Sequence, residues 1–177
     1  MNSYSARLAK AAAALAPRHM RMPQVPIREL ALYDQDLDGD DAPTCYAAFR
    51  DAIARADGVL FVTPEYNRSV PGALKNAIDV ASRPYGKGVI IGKPVAIVSQ
   101  SSGAYGGFGA NHAIRQSLVF LDSPVLQQPE AYVGNVTAAF GDDGTLLSDD
   151  LRLLLTRLTH AFGELIARSR VPLAPAE

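Results

Sequence analysis

Two short apolar runs constrain this chain more than any other feature: Gly58-Val-Leu-Phe-Val-Thr63 and Pro94-Val-Ala-Ile-Val-Ser99. Neither alternates with polar residues, and each is bounded by turn residues, so each reads as a strand that needs cover on both faces. Strands of that kind belong to parallel sheets sandwiched between helices. The segments around them supply the helices. Apolar residues recur at helical spacing over Ser3–Leu15 (Leu8, Ala12 and Leu15 on one stripe, Pro17 as the stop), Thr44–Ala56, Pro71–Ala81, Ala110–Leu121 and Leu147–Arg168. Pro71 suits the first turn of its helix, where a missing N–H costs nothing. Val25–Leu30, Pro124–Leu126 and Glu130–Val133 read as further short strands. Alternation of strand and helix predicts an α/β sandwich, and 177 residues without a linker or repeat predict a single domain over 1–177.

Composition removes several classes of function. With 17 Lys+Arg against 18 Asp+Glu the net charge is -1, which excludes wholesale nucleic-acid or polybasic membrane binding. Cys45 is the single cysteine, so no intramolecular disulfide and no multi-thiolate metal site can form. The carboxylates Asp34, Asp36, Asp38, Asp40 and Asp41 are crowded together, but Gly39 and Pro43 among them and the lack of an EF-hand Glu make them a solvated loop rather than a metal site. No apolar run approaches the roughly 18 residues of a membrane span. MNSYSARLAK carries no apolar signal region, so the expected setting is the cytoplasm.

In doubly wound sheets ligands sit beyond the carboxyl ends of the strands. Two loops occupy that place. Thr63-Pro-Glu-Tyr-Asn-Arg-Ser-Val-Pro-Gly72 brackets an aromatic, an amide and a carboxylate between Pro64 and Pro71, which fix the local backbone. Ser99-Gln-Ser-Ser-Gly-Ala-Tyr-Gly-Gly-Phe-Gly109 has four glycines that let the backbone approach a ligand, although a flexible surface loop reads equally well from this segment alone. It is neither a Walker loop nor a GxGxxG fingerprint. Arg83 follows the Pro71 helix, where it could meet a phosphate or cap the helix end. His19, His112 and His160 lack metal-ligand spacing, and no G-x-S-x-G elbow is present.

The run TPEYNRSVPGALKNAIDVASRP (Thr63–Pro84) resembles the signature of the NADPH-dependent FMN reductase family, a flavodoxin-like group that includes quinone, chromate and azo-dye reductases. Ala31–Asp36, Ile114–Asp122 and Leu158–Ile166 extend the likeness, which covers the chain from Ser3 onward. The resemblance implies a flavodoxin-like three-layer sandwich with strand order 2-1-3-4-5 and FMN as cofactor. By that likeness Pro64, Glu65, Tyr66 and Asn67 hold the flavin from one side, and Ser99, Gln100, Ser101 and Gly103 from the other. Ser3 matches the Ser of the family's phosphate loop, while Ser5 stands where Asn is usual. Arg83 and Tyr105 are the candidate substrate contacts.

The implied reaction passes a hydride from NADPH or NADH to FMN, then on to a small acceptor of quinone, chromate or azo type, or to free flavin. Backbone N–H groups of Ser99–Gly103 are the candidate donors where negative charge gathers. A flavodoxin-type carrier that does not oxidise NAD(P)H, or a non-catalytic flavin-binding or regulatory module, are the rival readings. Surplus apolar residues on the Pro71 and Ala110–Leu121 helices predict a homodimer or homotetramer, as in the family. Only Met1 and Asn2 precede Ser3, where the family has its first strand and a Gly-Ser-x-Arg loop. The expectation is that this central strand is missing, that an upstream start by about ten to twenty residues would supply it, and that the chain as written binds FMN weakly.

Overall fold

A computed structural model describes residues 3–39 and 42–170. Three parallel strands form the sheet in the order β1 (Val59–Pro64), β2 (Val95–Gln100), β3 (Ala131–Val133). Between them run α3 (Gly72–Ala81) and α4 (Phe108–Phe120); α1 (Tyr4–Leu15) and α2 (Thr44–Ala54) precede β1, and α5 (Asp149–Ser169) closes the order. The register sets Val59 beside Val95 and Pro64 beside Gln100, then Ser99 beside Tyr132. All six residues of β2 are buried, as an unbroken apolar strand requires. Its side chains alternate between two cores. Ala96 and Val98 meet Leu8 and Ala12 of α1 and Leu155, Leu158 and Phe162 of α5. Val95 and Ile97 face Tyr46 and Phe49 of α2, Ile78 and Val80 of α3, and Ile114 and Leu118 of α4. The helices are started by their own side chains: Ser3 Oγ accepts from Ala6 N–H at 3.3 Å, and Ser148 Oγ from Leu151 N–H at 3.2 Å.

Val25–Leu30 is not a strand. Pro23 and Pro26 remove ladder donors, and among the described residues no strand lies alongside to pair with. Val25, Ile27 and Leu30 still rest against the second core, so the apolar residues are placed as expected while the element is not. A side chain takes over the work of a ladder. Asn76 of α3 donates to Ala31 O at 2.9 Å and accepts from Tyr33 N–H at 2.8 Å.

Pro124–Leu126 makes a single parallel bridge to the start of β2, with Val95 N–H on Pro124 O and Leu126 N–H on Val95 O, both 2.8 Å. The acidic loop is also more ordered than its composition suggests. The Asp38 side chain is 6% exposed and takes both ends of the Arg50 guanidinium at 2.7 Å. Arg50 and the Tyr33 hydroxyl hold its carboxyl below the usual range against the opposing effect of burial. Asp40 and Asp41 lie outside the described residues.

Candidate active site

Because Thr63 pairs with Ser99 and Pro64 with Gln100, the loops that leave β1 and β2 emerge side by side. The first folds back at once. Tyr66 and Ser69 exchange backbone hydrogen bonds at 3.1 and 3.0 Å, and the two residues between them, Asn67 and Arg68, have φ of 50° and 62°. Two positive φ values make a type I′ hairpin turn. Asn tolerates that conformation, whereas for Arg it costs about 1–2 kcal/mol. Tyr66 and Asn67 are both exposed at the turn.

The glycine-rich loop is not flexible. Ser101 N–H reaches Val133 O at 3.1 Å, Val136 N–H reaches Ser101 O at 3.1 Å, and Asn135 N–H reaches Gly103 O at 2.9 Å. These bonds lace the loop to the chain beyond β3. Gly106 has φ 60°, and a Cβ there would lie 2.4 Å from the Tyr132 carbonyl carbon, so no other residue fits that crossing.

Glu65 joins the two loops. Its Oε2 accepts from Ala110 N–H at 3.2 Å, in the first turn of α4, and Oε1 stands 3.7 Å from the Arg68 guanidinium. A carboxylate at a helix N-terminus meets otherwise unpaired N–H groups and the positive end of the macrodipole. The approach is close enough to require Gly109, where a Cβ would sit 2.4 Å from Arg68 O. Arg68 then lays its guanidinium over the Tyr105 ring, 5.2 Å from the centroid.

Several residues expected at the site are here in altered roles. Ser99 is wholly buried; its hydroxyl donates to Ala131 O at 3.4 Å and accepts from Asn111 Nδ2 at 3.3 Å, so its side chain fastens α4 to the sheet. Gln100 donates to Ser5 Oγ at 3.2 Å, which brings the start of α1 to the same end of the sheet as both loops. Ser3 serves as the α1 cap. Ser101 Oγ donates to Gly103 O at 2.9 Å, closing the loop's first turn. Tyr105 is at the rim.

Arg83 is not brought to these loops. Ten residues of α3 carry the chain back about 15 Å along the strands, so Arg83 lies towards their amino ends. There it lines a cleft with Tyr33, Asp38 and Tyr85. It does not cap α3 either, for the helix ends on Ser82 with its hydroxyl on Asp79 O.

Sequence reasoning passed over three features. Arg68 had no motif of its own. Asn111 reads as an ordinary helix residue, and only Ser99 opposite it reveals the link. The third is an aromatic group: Phe108 stands 4.1 Å from His112 and 5.2 Å from Tyr132, ring centre to ring centre. Tyr132 donates to Glu130 at 2.8 Å and lies 3.2 Å from His112 Nε2. Burial first, then the Glu130 carboxylate, pushes the Tyr132 hydroxyl up to about 12.

The fit of a flavin can be judged from the donors. Ser101 N–H is taken, but the N–H groups of Ser102, Gly103 and Ala104 have no acceptor among the described residues, and a Cβ on Gly103 would meet nothing within 4 Å. Tyr105, next in the chain after this row of donors, and Tyr66 on the neighbouring loop are both exposed aromatic rings. A planar ring edged with hydrogen-bond acceptors fits that arrangement.

Comparison with known proteins agrees. A family model described as NADPH-dependent FMN reductase matches residues 1–138. A quinone reductase of Pseudomonas putida is 52% identical over 168 residues, covering 95% of this chain and 90% of that protein. A 2-hydroxy-1,4-benzoquinone reductase of a Burkholderia species is 42% identical over 170 residues, covering 96% and 92%. Among solved structures, the flavoenzyme NAD(P)H:(acceptor) oxidoreductase FerB of Paracoccus denitrificans superposes with a TM-score of 0.87 at 34% identity, over 96% of this chain and 92% of that one. Fold, paired loops and sequence meet in one conclusion: the chain belongs to the NADPH-dependent FMN reductase family.

Proposed function

We infer that the protein is an FMN-dependent NAD(P)H oxidoreductase that reduces quinone-type acceptors. The observation that carries this reading is the row of N–H groups at Ser102–Ala104 without an acceptor among the described residues, in a loop that leaves β2 and is laced to the chain beyond β3, with exposed tyrosines on the two site loops. Bound FMN would supply the two-electron chemistry of the reaction, whose balance is NAD(P)H, one proton and a quinone giving NAD(P)+ and the hydroquinone.

The chain's own residues supply position. Loop N–H groups donate to the edge of the ring where negative charge gathers, and they are already oriented before any ligand arrives. Pro64 and the Tyr66–Ser69 hairpin form the facing wall, with Glu65 fixing its distance from α4. Tyr66 and Tyr105 offer flat faces to a planar substrate. Ser5 is the residue we assign to the cofactor's phosphate; what supports it is that Gln100 ties Ser5 to the end of the sheet where both loops emerge.

We propose further that residues 1–177 act as a single domain, in the cytoplasm, within a homodimer or homotetramer. Tyr85, Val119 and Phe120 are each at least 70% exposed, and Tyr85 and Phe120 touch across 6.4 Å. They cluster at the far ends of α3 and α4, where an apolar patch of this kind calls for a partner surface.

The experiment is a visible spectrum of the purified protein with FMN, recorded anaerobically before and after NADPH. Bleaching of the flavin bands, and their return on adding a quinone, is the expected result. A spectrum unmoved by either NADPH or NADH would refute the reading.

A further inference from the structure

We propose that Arg68 is a specificity residue that favours acceptors carrying a negative charge: quinones with an ionised hydroxyl, carboxylate or sulfonate. This rests on the quinone-reductase reading above. Arg68 occupies the second central position of a type I′ turn at φ 62°, a place where glycine would be unstrained. A long charged side chain retained against that backbone preference points to a use for the charge. Its backbone is also held firmly. The carbonyl of Arg68 abuts Gly109 at the start of α4, so the turn cannot drift.

The side chain spans both loops. One guanidinium nitrogen is 3.7 Å from Glu65, the planar face lies over Tyr105 at 5.2 Å, and the side chain as a whole remains 75% exposed. Stacking thus restrains the guanidinium while most of its donors stay open to solvent or ligand. The Glu65 carboxylate offsets only part of this charge at the rim, because its other oxygen faces Ala110 N–H and the positive end of the α4 dipole. A restrained cation beside the exposed rings of Tyr66 and Tyr105 matches a flat molecule with an anionic substituent. The guanidinium carbon lies over the Tyr105 ring, 5.2 Å from its centroid, at the loop where an acceptor ring would rest. That position suits the acceptor rather than the dinucleotide's phosphates.

The test uses the FMN-loaded protein reduced anaerobically, mixed rapidly with either 1,4-naphthoquinone or its 2-sulfonate. In Arg68→Gln the second-order rate for the sulfonate should fall about tenfold relative to the unaltered protein, a change of about 1.4 kcal/mol, while the neutral quinone stays within about twofold. Arg68→Lys should keep most of the preference, and salt should erode it in the unaltered protein but not in Arg68→Gln. Equal losses on both quinones, or a loss confined to flavin reduction by NADPH, would overturn the assignment. Failure of the unaltered reduced protein to reduce the neutral quinone would overturn the quinone-reductase reading and this inference with it.

Discussion

Replacing Glu65 separates the charge of the loop tie from its hydrogen bond. Glu65→Gln keeps an acceptor for Ala110 N–H but removes the carboxylate from the α4 N-terminus and from Arg68. Charge at a helix N-terminus is worth about 0.3–1 kcal/mol, rising to about 2 where partly buried, and the side chain here is 12% exposed. The Arg68 contact adds little, since its guanidinium is largely in water. Glu65→Gln should therefore cost about 1 kcal/mol. Glu65→Ala also leaves the buried Ala110 N–H without its partner, a further 1–3 kcal/mol or so, for a total of about 2–4 kcal/mol. For a chain of this size that corresponds to a fall in Tm of about 5–15 °C. Urea unfolding measures both values, and hydrogen exchange at Ala110 locates the effect. If the alanine variant were no less stable than the glutamine variant, or if Ala110 exchange were unchanged, the tie would not exist as described.

Asp38→Asn should destabilise by about 2 kcal/mol at pH 7, between the values for exposed and fully buried pairs. The lowered carboxyl of Asp38 contributes stability above its unfolded value of about 4, and that contribution is lost as pH falls through its lower folded value; denaturant curves of both proteins should therefore converge below pH 4. Asn67→Gly keeps the positive φ and should weaken FMN binding about tenfold, with thermal stability nearly unchanged; unaltered FMN affinity would remove the amide from the site. Phe120→Glu should shift the sedimentation coefficient at micromolar protein towards the monomer while the far-UV spectrum stays native, and an unchanged coefficient would exclude this patch as the interface.

The fold was legible where one local signal sufficed. The unbroken apolar runs of β1 and β2 and the stripes of the helices place those elements within two residues of their observed ends. Val25–Leu30 misled because strand composition says nothing about a neighbour to pair with, and the bond that anchors that stretch comes from Asn76, distant in sequence. The two site loops were legible as places, through their proline and glycine content. Roles inside them were not. The bonds of Ser99 to Asn111 and of Glu65 to Ala110 have no local signal, because both partners lie more than ten residues away. Arg83 is near the signature in sequence, but α3 runs the other way and sets it at the opposite end of the strands from the loops of its own chain.

Asn111 has a second bond whose effect reaches past the site. It accepts from Arg115 Nε at 2.9 Å, and Arg115 donates to Leu126 O at 3.3 Å. From Ser99 to Leu126, α4 is thereby pinned at two heights, once near the end of β2 and once on the segment bridged to its beginning. A helix fastened twice along its length has no freedom to slide, so the glycine loop it anchors keeps one position whether or not a ligand is present. Adjustment is left to exposed side chains such as Tyr66, which turn on a nanosecond scale, while Arg68 stays held over Tyr105. Exchange of one flat substrate for the next would then proceed at the pace of rotamers rather than of backbone rearrangement.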